Sequence, residues 1–165
     1  SNLDMYKTKT KGTIAGEAAT FFLLANEPSA TDYAKLDGLH TFYKPDGTDE
    51  IEKQINSFLE KQHISIDDID LIITGKNGDS GEDEVYELLS KTIFAGKENI
   101  NYKYLCGEYP TAAAFAMWLG ATIVKSGRVP ETVGFTDSPE KKIKKVLVYN
   151  HYQGVHHSLT LLSAC

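Results

Sequence analysis

A lysine and a glutamate flank one turn in Tyr102-Lys103-Tyr104-Leu105-Cys106-Gly107-Glu108-Tyr109-Pro110. Paired across a turn, such groups can meet as an ion pair or act as acid and base. The turn reads as the end of a strand that runs into a helix, which is where α/β folds place their chemistry. Pro110 suits the first turn of that helix, and the alanines that follow give it a thin profile open to close packing. Lys76, in the glycine-rich loop Gly75-Lys76-Asn77-Gly78-Asp79-Ser80-Gly81, is a third candidate. That loop lacks the spacing and the Lys-Ser/Thr pair of a phosphate loop, and Asp79 opposes an anion, so a turn needing glycines is the simpler reading. The five histidines give no metal site. His156 and His157 are neighbours on a strand and point to opposite faces, and no cysteine or carboxylate spacing completes a tetrahedral set. Cys106, at an apolar strand end, reads as a packed thiol. No cofactor is implied.

The chain that positions these groups has 165 residues, enough for one domain with a sizeable core. No apolar run reaches the roughly 20 residues of a membrane span, so no membrane partner is expected. A net charge of −6 with a single arginine, Arg128, argues against nucleic acid. Two cysteines, Cys106 and Cys165, are too few for a disulfide framework and point to a reducing, cytoplasmic setting. Ser1-Asn2 resembles a scar of tag removal, residues 1–12 read as a polar arm, and residues 13–165 read as the domain, a piece of a longer protein.

Within that domain, the second half of Thr13–Ala25 is a near-continuous apolar run, as in a strand covered on both faces. Ala34–Tyr43 predicts a strand. Ile51, Ile55, Phe58 and Leu59 recur at helical spacing after Thr48 or Asp49. Leu71–Thr74 predicts a short buried strand ahead of the glycine-rich loop. A helix follows from about Glu82 to Ile93, with Val85, Leu88, Leu89 and Ile93 inward. A strand over Asn101–Cys106, the helix Pro110–Ser126 ended by Gly127, and a loop from Val129 to Pro139 come next. Lys141, Lys142, Lys144 and Lys145 form a solvated approach to a terminal hairpin, Val146–Asn150 with His156–Ser163. The pattern is α/β: a mixed, mostly parallel sheet of about five strands, with helices on its faces and a C-terminal hairpin.

Read together, these segments resemble the C-terminal half of a β-ketoacyl synthase of thiolase-like fold. Gly16-Glu17-Ala18-Ala19 is similar to the family's Gly-Glu-Gly-Ala segment. Ile66-Asp67-Asp68-Ile69-Asp70-Leu71-Ile72 is similar to the lead-in to its first catalytic histidine. Lys103, then Gly107, the alanine-rich helix and Gly127-Arg128-Val129-Pro130 resemble the Lys-Ser-x-x-Gly-His segment and its continuation. Gly154 and Ser158-Leu159 stand where the family has its glycine-rich Gly-Phe-Gly-Gly-x-Asn stretch.

The resemblance implies a chain-elongation role, in fatty-acid or polyketide synthesis, and also marks what is missing. The family condenses acyl groups with a nucleophilic cysteine from its other half and two histidines. No histidine stands near Thr74–Lys76, and Glu108 occupies the place of the second; only the family lysine has a counterpart, Lys103. Histidine donors stabilise the oxyanion that forms during condensation, whereas a carboxylate repels it. The reading implied is a catalytically degenerate subunit, akin to a chain length factor, that pairs with an active synthase or an acyl carrier protein. The alternative is an acyltransferase of altered chemistry that uses Lys103, Glu108 and Lys76, its nucleophile lying in a missing N-terminal half. The helix Pro110–Ser126, apolar nearly all round, predicts an uncovered face and a homo-oligomer.

Overall fold

The computed structural model of the protein describes residues 2–7, 10–133 and 142–165. Five strands form one sheet: β1 (Lys35–Tyr43), β2 (Leu71–Thr74), β3 (Asn99–Asn101), β4 (Lys145–Tyr152) and β5 (His156–Ser163). They lie in the order β1-β5-β4-β2-β3. β2 pairs in parallel with β3 and with β4, and β5 pairs antiparallel with both β4 and β1. Four strands therefore run one way and β5 alone runs back, which is the mixed, mostly parallel sheet the sequence predicts. The hairpin forms as expected, but β5 is an interior strand, inserted between β4 and the edge strand β1.

Each face of the sheet carries its own layer. On one side lie α1 (Gly47–Lys61) and the short α2 (Glu84–Leu89). Ile51, Ile55, Phe58 and Leu59 of α1 are buried against Ile72, Leu147, Leu159 and Leu161. Each such side chain stabilises the fold by about 1.5–3 kcal/mol relative to exposure. On the other side lies α4 (Ala112–Ser126), whose Ala116, Leu119 and Ile123 pack on Ile73, Val146, Val148 and Leu162. Gly127 ends α4 in the left-handed conformation, with its N–H on the Ile123 carbonyl. The edge strand β1, the buried β2 and the helices α1 and α4 all fall where the hydrophobic periodicity places them.

Three expectations need correction. Asn101–Cys106 is not one strand: β3 ends at Asn101, and Lys103–Cys106 forms a single helical turn, α3, closed by the Gly107 N–H on the Lys103 carbonyl. Tyr102, Lys103 and Tyr104 are all buried, an arrangement that strand alternation does not give. The helix after the glycine-rich loop is shorter than Glu82–Ile93. Tyr86 and Phe94 fill the core there, while Leu88 faces out.

Last, Thr20–Ala25 is neither a strand nor buried. Phe21 is 91% exposed and Leu23 99% exposed. Residues 17–27 make no backbone hydrogen bond to any other described residue. The far end of the expected loop, together with Lys141, lies outside the described residues. Lys142 and Lys144 are exposed, as a solvated face requires.

Candidate functional site

Chain turns at the carboxyl ends of β2, β3 and β4 bring a cluster of polar side chains together. α3 carries Lys103 inward, leaving it 1% exposed, and the turn at Gly107 returns Glu108 to meet it. Lys103 Nζ donates to Glu108 Oε2, and the carboxylate is 11% exposed. The two charged heads are thus an ion pair largely withdrawn from water. Such a pair holds only where hydrogen bonds satisfy what remains of each group, because desolvation costs several kcal/mol per ion.

Asn77 supplies that satisfaction. Its side-chain N–H groups donate to Glu108 Oε2 at 2.9 Å and to Glu82 Oε2 at 2.7 Å. Its backbone N–H reaches Asp83 Oδ1 at 2.8 Å, and the Gly78 N–H reaches Asp83 Oδ2 at 3.0 Å. Its side-chain oxygen takes the Asp79 N–H at 3.0 Å. Asp79 in turn accepts from the N–H groups of Gly81 and Glu82. The glycine-rich loop is therefore a turn organised by Asp79 within it and Asp83 just after it. Burial pushes the Asp83 carboxyl up from the ordinary carboxylate range, although the two backbone donors hold it down.

Lys76 points elsewhere. Its ammonium lies 3.3 Å from Glu87 Oε1 on α2, and its carbonyl takes the Tyr6 hydroxyl. The loop's link to the ion pair runs instead through Asn77, which sequence reading passed over as a turn residue. Cys106, beside the pair, is partly buried, and burial pushes its thiol up.

The N-terminal segment braces the same turn. The Glu108 N–H donates to the Ile14 carbonyl and the Gly16 N–H to the Glu108 carbonyl, at 2.8 and 3.1 Å. The two backbones touch so closely that a Cβ on Gly16 would stand 1.9 Å from the Cys106 carbonyl oxygen. Only glycine fits there, and Gly107 faces it at φ 76°.

A second polar group spans the sheet at the end of β4, with Tyr102 on the α4 side and Tyr86 on the α2 side. Tyr102 donates to Asn150 Oδ1 at 2.9 Å, and the His151 N–H donates to the Tyr86 hydroxyl at 3.0 Å. His151 is buried. Its Nδ1 accepts from the Gly154 N–H, so Nε2 carries the proton and donates to the Glu82 carbonyl. A neutral ring satisfied at both nitrogens resists protonation, and burial lowers its pKa to about 4. His156 and His157 do point to opposite faces: His156 is exposed, while His157 is buried with its Nδ1 3.0 Å from the Tyr149 hydroxyl. Among the described residues, no group of three or more histidines, cysteines and carboxylates could hold a metal ion. No helix among them is long and apolar enough to cross a membrane.

No family model matches the chain, and no curated protein matches it. Solved structures do match in shape. A ketosynthase in complex with its chain length factor from Xenorhabdus doucetiae superposes with a TM-score of 0.70 over 84% of this chain, at 19% identity. The ishigamide ketosynthase/chain length factor gives 0.66 over 81%, at 13% identity. A type II polyketide synthase acyl-carrier protein in complex with its ketosynthase bound to the hexaketide gives 0.61 over 81%, at 16% identity. The chain has the thiolase-like fold of the ketosynthases. It spans 40%, 38% and 39% of those chains. The ketosynthase-like architecture expected from the sequence is thus present, with the Lys103–Glu108 pair at the foot of α4.

Proposed function

We propose that this chain is part of a β-ketoacyl-synthase-like subunit that serves fatty-acid or polyketide chain elongation without catalysing condensation. The observation that carries the reading is the use made of the Lys103–Glu108–Asn77 cluster. The resemblance places Lys103 at the family's lysine and Glu108 at its second histidine. Here the carboxylate is engaged by Lys103 and Asn77, and the lysine by the carboxylate. Condensation and malonyl decarboxylation need donors aimed at a developing oxyanion. A carboxylate fixed in that place supplies repulsion, and Lys103 spends its charge on it. Lys76, engaged with Glu87, is no substitute.

Such a subunit acts by association. The partner we infer is an active synthase subunit, with an acyl carrier protein as the carrier of the growing chain, in the cytoplasm. In the absence of that partner, self-association over the α4 face is the expected homo-oligomer.

The altered-chemistry acyltransferase makes the opposite prediction about the cluster, so one experiment separates the two. The purified chain is incubated with acyl- and malonyl-carrier thioesters, and both ketoacyl product and carbon dioxide are followed. Neither is expected. Release of carbon dioxide that Lys103→Met abolishes would overturn the degenerate reading.

A further inference from the structure

The sequence holds one Asn-Gly step, Asn77-Gly78, and the fold sets it at the centre of the candidate site. Such a step carries a chemistry of its own, which is part of why asparagine is thermolabile. The backbone nitrogen of the glycine attacks the side-chain carbonyl carbon of the asparagine, with no Cβ in its way. A nitrogen–carbon bond forms, ammonia leaves, and a cyclic imide results. One water then opens the imide to aspartate or to isoaspartate. Nothing is oxidised or reduced, and water is the co-reactant.

In this chain each polar atom of that reaction is engaged. The attacking nitrogen, that of Gly78, donates its hydrogen to Asp83 Oδ2 at 3.0 Å. The leaving nitrogen, Asn77 Nδ2, donates to Glu82 Oε2 at 2.7 Å and to Glu108 Oε2 at 2.9 Å. The side-chain oxygen accepts from the Asp79 N–H. Attack therefore breaks the Gly78–Asp83 bond, and departure of ammonia breaks both bonds from Nδ2. The attacking nitrogen must also shed its proton, and the carboxylates of Glu82, Asp83 and Glu108 oppose an anion there. Asn77 is 2% exposed, which keeps bulk water and hydroxide away from it.

The N-terminal segment holds this arrangement shut. The Thr13 hydroxyl donates to the Asn77 carbonyl at 2.9 Å, and the Gly12 N–H donates to Asp79 Oδ2. Met5 packs against Gly78, 3.2 Å from where a Cβ would stand. We propose that Asn77–Gly78 is a hydrolytic modification site, guarded by the closed loop, whose conversion to aspartate or isoaspartate dismantles the Lys103–Glu108 cluster. The consequence follows from what the amide does. Asn77 Nδ2 is the donor that Glu82 and Glu108 share. An aspartate at this position removes both bonds and sets a third carboxylate against the two, while Lys103 is already engaged on Glu108. An isoaspartate also adds one backbone atom ahead of Gly78 and carries its N–H off Asp83. Lost hydrogen bonds to charged groups and like-charge repulsion then act together on the same turn.

The full chain is aged in mildly alkaline buffer, folded and in urea. Peptide mapping by mass spectrometry follows the mass gain at Asn77, with isoaspartate scored separately. The folded chain is expected to hydrolyse this step at least about 100-fold more slowly than the unfolded chain. Equal rates in the two states would overturn the guarding. Thr13→Val removes the hydroxyl from the Asn77 carbonyl and touches none of the reacting atoms. It should raise the folded-state rate by about threefold or more. An unchanged rate would overturn the part given to the N-terminal segment.

The consequence is read from Asn77→Asp beside Asn77→Ala. Both lose the shared donor, and only the first adds a charge, so Asn77→Asp should melt at the lower temperature. Where Asn77→Asp does not fold, the aged wild-type chain, separated from the intact chain by ion exchange, replaces it in the comparison. Melting of the aspartate form at or above the temperature of Asn77→Ala would overturn the dismantling of the cluster.

Discussion

The two sides of the sheet are finished to different degrees. On the α1 and α2 side, Ile55, Leu59, Leu89, Tyr149 and Leu161 are withdrawn from water, while Leu88 of α2 faces out. On the α4 side, the residues against the sheet are equally buried, yet Trp118 is half in solvent and the Phe21–Leu24 run is bare. Exposed apolar patches of this kind mark interaction sites or a tendency to aggregate. The difference separates the layer that stabilises this body from the face on which the proposed association would act. The Lys103–Glu108 pair, buried and engaged by Asn77, belongs with the layers that hold the body together.

The comparison is best tested by substitutions on both sides and at the pair. Lys103→Ala leaves Glu108 buried and uncompensated, and a loss of about 3–5 kcal/mol is expected by chemical denaturation. The double change Lys103→Met/Glu108→Leu should recover most of it, since an apolar pair of similar volume removes both desolvation costs. A double variant as unstable as the single would show that the ion pair itself holds the turn.

On the closed side, Leu59→Ala should cost about 2–5 kcal/mol by creating a cavity beneath α1. A smaller effect would mean that this layer is less complete than it looks.

The pH profile gives the next largest signal. With a pKa lowered from 6.5 to about 4, His151 stays neutral in the folded chain while the unfolded chain takes up a proton. Its contribution is full above about pH 6.5 and is lost as pH falls toward 4, amounting to about 3 kcal/mol. Asp83, raised by burial, works in the opposite sense at the acid end of that window. Thermal melts between pH 7 and pH 4 should show the slope, and His151→Gln should flatten it (the pH values bracket the shift just given).

On the open side, Phe21→Asp should change the stability of the isolated chain by no more than about 0.5 kcal/mol, as for other substitutions at solvent-exposed positions. A large loss there would erase the contrast between the two layers.

Much of this was legible from the sequence because it is periodic. The apolar face of α1, the buried run of β2, the small-residue helix α4 and the hairpin all declare themselves through spacing. α3 did not, because Tyr102-Lys103-Tyr104-Leu105 alternates as a strand does and a single turn has no period to read. Lys103 and Glu108 could be singled out by charge on either side of a turn. Asn77 could not, since an asparagine between glycines is the ordinary composition of a loop. His151 looked like a hairpin residue because nothing local reveals that Tyr86 and Glu82 close over it. Thr20–Ala25 carries the composition of a buried strand, and nothing local in the sequence says that it lies exposed outside the sheet.

The place of β5 has a consequence in time. β1 touches the sheet only through β5, with Lys35 opposite Ser163. The first strand of the sheet therefore waits, during synthesis, for the strand made after all the others. Contacts so distant along the chain form slowly, and partly made chains expose the surfaces they will later bury. Until the final strand arrives, β1 has no seat in the sheet and α1 lacks Leu159 and Leu161 beneath it. The body closes in one late step, when its C-terminal strand slides between two that were made long before.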